Sequence, residues 1–182
     1  MKNSTLFELV VPEPVEAKIR HLCDRIHDVE WSGILFYTTE GSMDDGTFKA
    51  TCIDICVMGI GTSGFTEFKD TSDIASYRLE HKDALLKEGV YEGLIHSHNK
   101  MPAFFSSTDE STLESEGDDT NHFLSLIVCN EGKYTARVTR RLKSEITANA
   151  HIVYTKTTGY CTYGNRNIFI DKNSKSETDK TQ

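Results

Sequence analysis

The 182-residue chain has no apolar run approaching the ~20 residues needed to cross a bilayer. Its start, MKNSTLFELVVPEP, lacks the basic, then apolar, then small-residue order of a secretory signal. Both absences predict a cytoplasmic protein with no membrane partner. Dense basic clusters are missing too. Lys and Arg total 20 against 28 Asp and Glu, and the net charge of -8 repels phosphate backbones, so no nucleic-acid partner is expected. The most basic stretch, Arg137 to Lys143, alternates with Val138 and Leu142 and reads as the wet face of a strand. Nor is there a disulfide framework: Cys23, Cys52, Cys56, Cys129 and Cys161 are odd in number and scattered through apolar segments. They are expected to be reduced core residues, with Cys52 and Cys56 on one face of a strand rather than in a metal clip.

What is present suffices for one core. A hydrophobic fraction of 37% and a charged fraction of 26% are near globular norms, and the length needs no covalent staple. One domain is expected over residues 1–170. The remainder, 171–182, has no apolar anchor and is expected to be a frayed tail.

The periodicities alternate between helix and strand. A short strand, Leu6 to Val11, precedes Pro12 and Pro14, which suit the start of a helix. In that helix Val15, Ile19, Leu22, Cys23 and Ile26 share a face. Trp31 to Tyr37 and Thr47 to Met58 read as a hairpin across a Gly41 to Gly46 turn. Asp70, Thr71 or Ser72 caps a second helix with Ile74, Tyr77, His81, Ala84 and Leu85 on one face, ended by Gly89. A strand over Val90 to Ser97 follows, then a short acidic helix from about Thr108 capped by Ser106 or Ser107. Phe123 to Cys129 and Tyr134 to Leu142 form a hairpin around Asn130, Glu131 and Gly132. Two further strands are expected at Ile146 to Tyr154 and Asn167 to Ile170. This order predicts a mixed α/β domain with a largely antiparallel sheet flanked by helices.

Chemistry concentrates in the segment from Gly93 to Asp109. Two histidines with one residue between them, His96 and His98, end a strand and project to the same side, because strand side chains alternate with period two. Asp109 returns a carboxylate at the start of the next helix. Two histidines and one carboxylate with a place left open make a catalytic zinc site rather than a closed structural one. Taken singly, the histidines read as a polar strand edge and Ser106 with Asp109 as an ordinary helix cap. Together, H-x-H-x7-S-x2-D would arise by accident in about one such sequence per thousand.

This spelling resembles the JAMM motif of the JAB/MPN zinc metalloproteases, with His96, His98, Ser106 and Asp109 at its positions. The spelling of the Phe104 to Asp109 stretch resembles that of bacterial and phage-encoded members. The resemblance implies an MPN/JAB fold with cytidine-deaminase-like layering, and one Zn2+ per chain held by His96, His98 and Asp109. It further implies catalysis by Glu30 and Ser106. Glu30 stands before the strand after the first helix, where the family carries a glutamate that accepts the proton of water. Ser106 would hold that water or donate to the oxyanion. Asn99 departs from the proline that many eukaryotic relatives carry after the second histidine.

Three functions follow. The first is hydrolysis of an amide or isopeptide bond at the C-terminus of a ubiquitin-like modifier. The second is cleavage of another amide, in a carrier-protein adduct or a cell-wall peptide. The third is a non-catalytic scaffold, against which the complete motif argues. Ser97 and Ser107 flank the motif without an assigned role. The groove is expected to be shaped by the loops Gly59 to Asp70 and Glu110 to His122.

Overall fold

In the computed structural model the described residues are 7–43, 45–69, 71–139, 144–145, 152–153 and 168–171. Their elements run β1 (Glu8–Pro12), α1 (Glu13–Arg25), β2 (Trp31–Glu40), β3 (Lys49–Ile60), α2 (Ser72–Glu80), α3 (Lys82–Leu85), β4 (Val90–Ser97), α4 (Ser107–Glu116), a 3-10 turn (Gly117–Asp119), β5 (Leu124–Val128) and β6 (Tyr134–Val138). Short strands β7 (Ser144–Glu145), β8 (Ile152–Val153) and β9 (Ile168–Asp171) follow. The expected strand from Ile146 to Tyr154 is described only at β8, where it pairs antiparallel with β7. Leu6, the Gly164 turn, Cys161 and the tail from residue 172 lie outside the described residues.

Seven strands make one mixed sheet in the order β6-β5-β4-β2-β3-β1-β9. The β2–β3 and β5–β6 pairings are antiparallel, as the expected hairpins require, and β2 also pairs antiparallel with β4. The β1–β3, β1–β9 and β4–β5 pairings are parallel and shorter, so the sheet is mixed with most of its paired residues antiparallel, as expected. Parallel neighbours need a crossover between them. Between β4 and β5 that crossover is the loop from His98 to Ser106 followed by α4, and it carries the chemistry-bearing segment.

Helix α1 packs one face of the sheet. Its Val15, Ile19 and Cys23 join Trp31, Leu35, Tyr37, Cys52, Ile55, Ile95, Leu126 and Val128 in the main core. The opposite face carries Ile34, Phe36, Ile74 and Leu85 beneath α2 and α3, and Leu94, Phe105, Leu113 and Ile127 beneath α4. Burying a side chain of this size contributes roughly 1.5–3 kcal/mol, so the apolar periodicity of each element is what fixes its inward face.

Two expectations change. Cys52 and Cys56 lie on opposite faces of the sheet, the first in the main core and the second against the α2 side. The cause is a register shift: Tyr37 pairs with Cys52 and Phe36 with Asp54, leaving Ile53 as an extra residue that inverts the alternation. The helix expected from Ser72 to Gly89 is broken at His81 into α2 and α3, with Ala84 exposed. Cys23, Cys52 and Cys129 are buried and unpaired, and Cys56 is half-buried and also unpaired.

Candidate metal centre

His96 lies in the last turn of pleat of β4, opposite Ser32 on β2 and Ile127 on β5. His98 sits just beyond the strand, with its backbone N–H on the Val128 carbonyl at 2.8 Å. Both rings are buried, and their centroids are 5.0 Å apart. Asp109 comes to them from the first turn of α4. His96 Nε2 is 3.2 Å from Asp109 Oδ1, and His98 Nε2 is 3.7 Å from Asp109 Oδ2. One ligand atom from each residue lies within 4.8 Å of the others, and this is the one such cluster among the described residues.

The loop that places these groups is tied down along its length. Met101 N–H bonds back to the His98 carbonyl at 2.7 Å, and Thr135 Oγ1 donates to the Ala103 carbonyl at 2.6 Å. Ser106 then caps α4 in a complete capping box: its Oγ accepts from Asp109 N–H at 3.2 Å, while Asp109 Oδ2 accepts from Ser106 N–H at 2.8 Å. Ser106 Oγ also reaches Asp109 Oδ2 at 2.6 Å. Oδ2 is thus held by Ser106, and Oδ1 is turned toward His96. Arg137, read from the sequence as a solvated strand face, instead pairs with Glu110 and lies 4.5 Å from the Phe105 ring, which holds α4 against β6.

The donor set fits a divalent metal of the zinc type. His98 Nδ1 donates to the Pro102 carbonyl at 3.0 Å, which fixes the tautomer and leaves the Nε2 lone pair facing Asp109. A cation held between these groups would satisfy both, and ligands around a tetrahedral zinc sit about 3.3 Å apart for bonds of about 2.0 Å. The proton affinities show the attraction between these groups. Burial disfavours the Asp109 carboxylate, yet His96 and His98 beside it hold its pKa well below the usual range. Burial works against a charged His98 as well, and Asp109 with the Pro102 carbonyl still raises its pKa. His96 Nδ1 is buried without a partner among the described residues, so its ring is oriented by packing, with Phe68 edge-on at 5.9 Å.

Glu30 stands at the turn before β2, 5% exposed. Its backbone is clamped on both sides, with its N–H on the Thr62 carbonyl at 2.7 Å and its carbonyl accepting from Gly61 N–H at 2.8 Å. Burial pushes its carboxyl pKa up, tempered by His98 and His96 and reinforced by Asp109. With His96, His98, Ser106 and Asp109 it lines a cleft of about 760 Å³. The five residues singled out from the sequence therefore share one cavity.

The sequence did not disclose the rest of the lining. One wall is Gly64 to Lys69, inside the expected Gly59 to Asp70 loop. Thr112 and Glu116 of α4 contribute from the second expected loop. Met101 and Phe104, on the loop between His98 and Ser106, also line the cleft and were not anticipated, although an apolar pair in a loop that must stay at the surface was a readable signal. Ser97 points away from this cleft function and accepts from Trp31 N–H, whereas Ser107 is exposed.

A solved structure similar to this chain is the solution structure of a protein from Desulfitobacterium hafniense, 13% identical, covering 96% of this chain and 99% of that one with a TM-score of 0.47. No curated protein matches the chain. The family described as prokaryotic homologs of the JAB domain matches residues 12–143, a span that holds Glu30, both histidines, Ser106 and Asp109. On that match over most of its length, the chain belongs to the Prok-JAB family.

Proposed function

We propose that this chain is a zinc-dependent metalloprotease that hydrolyses an amide or isopeptide bond at the C-terminus of a ubiquitin-like modifier. One observation carries the reading: two buried histidines and the half-buried Asp109 come within ligating reach of one another and open into the same cleft as the buried carboxylate residue Glu30. His96, His98 and Asp109 would hold the ion. When bound, zinc supplies Lewis acidity, acidifying water at neutral pH and polarising a carbonyl.

The chain's own groups then divide the remaining work. Glu30, in a site that makes its carboxylate a stronger base than one in water, takes a proton from the attacking water and returns it to the departing nitrogen. Water adds across the C–N bond, giving a carboxylic acid and an amine, with no covalent enzyme intermediate. Ser106 holds Asp109 in place and, by turning its hydroxyl off Oδ2, donates to the developing oxyanion. Phe65, Met101 and Phe104 expose apolar surface at the cleft, at 51%, 36% and 49%, which supports an extended polypeptide tail as the acyl partner.

The test begins with metal. Protein purified without chelator is expected to carry one zinc per chain, and His98→Ala to lose most of it while remaining folded. Elemental analysis near zero after zinc reconstitution at neutral pH would remove the basis of the reading. Zinc-loaded protein is then offered ubiquitin-like C-terminal fusions and lysine-linked conjugates, with a chelator control. Chelator-sensitive release of the modifier is the expected result, whereas full zinc loading without cleavage would favour another amide or a scaffold.

A further inference from the structure

Asn99 follows the second histidine and is the non-glycine residue with positive φ among those described, at 41°. It is 5% exposed. Asparagine tolerates left-handed backbone better than most side chains; proline, locked at negative φ, cannot adopt it. Both ends of the side chain are engaged. Nδ2 donates to the Ser63 carbonyl at 2.8 Å, and Oδ1 accepts from Lys100 N–H. A flipped amide would set donor against donor and acceptor against acceptor, so the orientation is determined by its partners.

The main chain of Asn99 extends the connection. Its carbonyl accepts from Asn130 N–H at 2.8 Å, and Asn130 Nδ2 donates to the His27 carbonyl at 2.8 Å. Four loops therefore meet here: 26–30, which ends in Glu30; 61–66, which carries Phe65; 98–106, which carries His98 and Phe104; and 129–133. The 61–66 wall is a tight hairpin, with Thr62 N–H on the Phe65 carbonyl at 2.7 Å and Gly61 so close to that carbonyl that a Cβ would stand 2.0 Å from it. Its base is fastened to Glu30 and, through the Glu67 carbonyl, to Ser32 Oγ at 2.6 Å. Its tip, at Ser63, is fastened by Asn99.

We propose that Asn99 is a positioning residue that sets the width of the cleft, holding the tip of the 61–66 wall at a fixed span from His98 and Phe104 opposite. The role of that width in substrate binding rests on the hydrolase reading; the tether itself does not. Asn99→Gly keeps the left-handed backbone and the Asn130 bond but deletes the side-chain bonds to Ser63 and Lys100. Asn99→Asp keeps the size and the Lys100 bond but faces the Ser63 carbonyl with an acceptor.

Amide hydrogen exchange on the zinc-reconstituted full chain reads the wall directly. Both variants are expected to exchange about tenfold faster within 61–66, with Leu124–Val128 and zinc content unchanged. If Asn99→Asp fails to fold, Asn99→Gly decides, since glycine accepts this backbone without strain. Unchanged exchange at 61–66, or an increase spread equally into Leu124–Val128, overturns the tether. On a cleaved fusion substrate, KM is expected to rise roughly tenfold at constant kcat; a fall in kcat at constant KM overturns the link to cleft width. Faster exchange at 61–66, with a zinc-loaded wild type that cleaves nothing, overturns the hydrolase reading and upholds the tether.

Discussion

Ser97 Oγ accepts a 3.0 Å hydrogen bond from the backbone N–H of Trp31, so the residue between the two histidines is fastened to the residue after Glu30. The two chain segments that carry the proposed base and the proposed ligands are thereby held in register by a fully buried side chain, at a point where β2 and β4 are already paired through Ser32 and His96. Ser97→Ala would leave the Trp31 N–H buried and unpaired, a cost of roughly 1–3 kcal/mol. Denaturant unfolding should show that loss as a lower midpoint at unchanged slope, with zinc content intact. An unchanged midpoint would mean that water or a shifted backbone replaces the hydroxyl.

Ser106 has two jobs within reach, and one variant separates them. Its hydroxyl completes the capping box on α4 and holds the carboxylate of Asp109. Losing a cap costs about 1 kcal/mol, whereas losing an oxyanion donor costs on the order of 10² to 10³ in rate. Ser106→Ala is expected to bind zinc and to turn over slowly by that larger factor. A lowered melting temperature with an unchanged rate would assign the hydroxyl to the cap and to Asp109 alone.

The parts of the site that were legible in the sequence are those set by local geometry. His96 and His98 share a side because a strand has period two, and Ser106 meets Asp109 because a helix N-cap meets its third residue. Glu30 was legible only through resemblance, since its approach depends on the pairing of β2 with β4, where Ser32 lies opposite His96. Long-range bonds such as Asn99 to Ser63 leave no periodic trace, and neither does the extra residue Ile53 that sends Cys52 and Cys56 to opposite faces. The break at His81 escaped for a related reason: the apolar spacing runs on through Leu85, while the backbone is redirected by packing of Ile74 and Leu85 on the sheet.

Away from the candidate metal site, His122 predicts a pH dependence of stability. Its ring is set among Tyr91, Phe48 and Tyr37, with centroids at 4.6, 5.2 and 5.8 Å, and its Nδ1 is 3.1 Å from the Tyr37 hydroxyl. Burial lowers its pKa below the ordinary 6.5. Below pH 6.5 the unfolded chain then binds more protons at this position than the folded one, so the contribution is complete above 6.5. It is lost progressively as pH falls toward the lower folded-state pKa. Zinc-loaded wild type and His122→Gln, unfolded at several pH values between 7.5 and 5, should therefore differ in slope, with the steeper loss in wild type. Parallel curves would show that the ring titrates alike in both states.

Glu30→Gln is the variant that separates an enzyme from a binding scaffold. Glutamine matches the size of the glutamate and can still hydrogen-bond to water, but it takes no proton. Zinc content and melting temperature are expected to hold, the latter rising slightly if anything, because a buried carboxylate is replaced by a neutral group. Removing a general base costs roughly 10² to 10⁴ in rate, so cleavage of a fusion substrate should fall by that factor in kcat. The pH profile supplies an independent check. Burial raises the Glu30 pKa above its ordinary 4.5, and the base works ionised, so wild-type kcat/KM should climb as pH rises through that elevated value. The residual activity of Glu30→Gln should lack this limb. Cleavage that is abolished by chelator yet retained in Glu30→Gln would place the base elsewhere in the cleft.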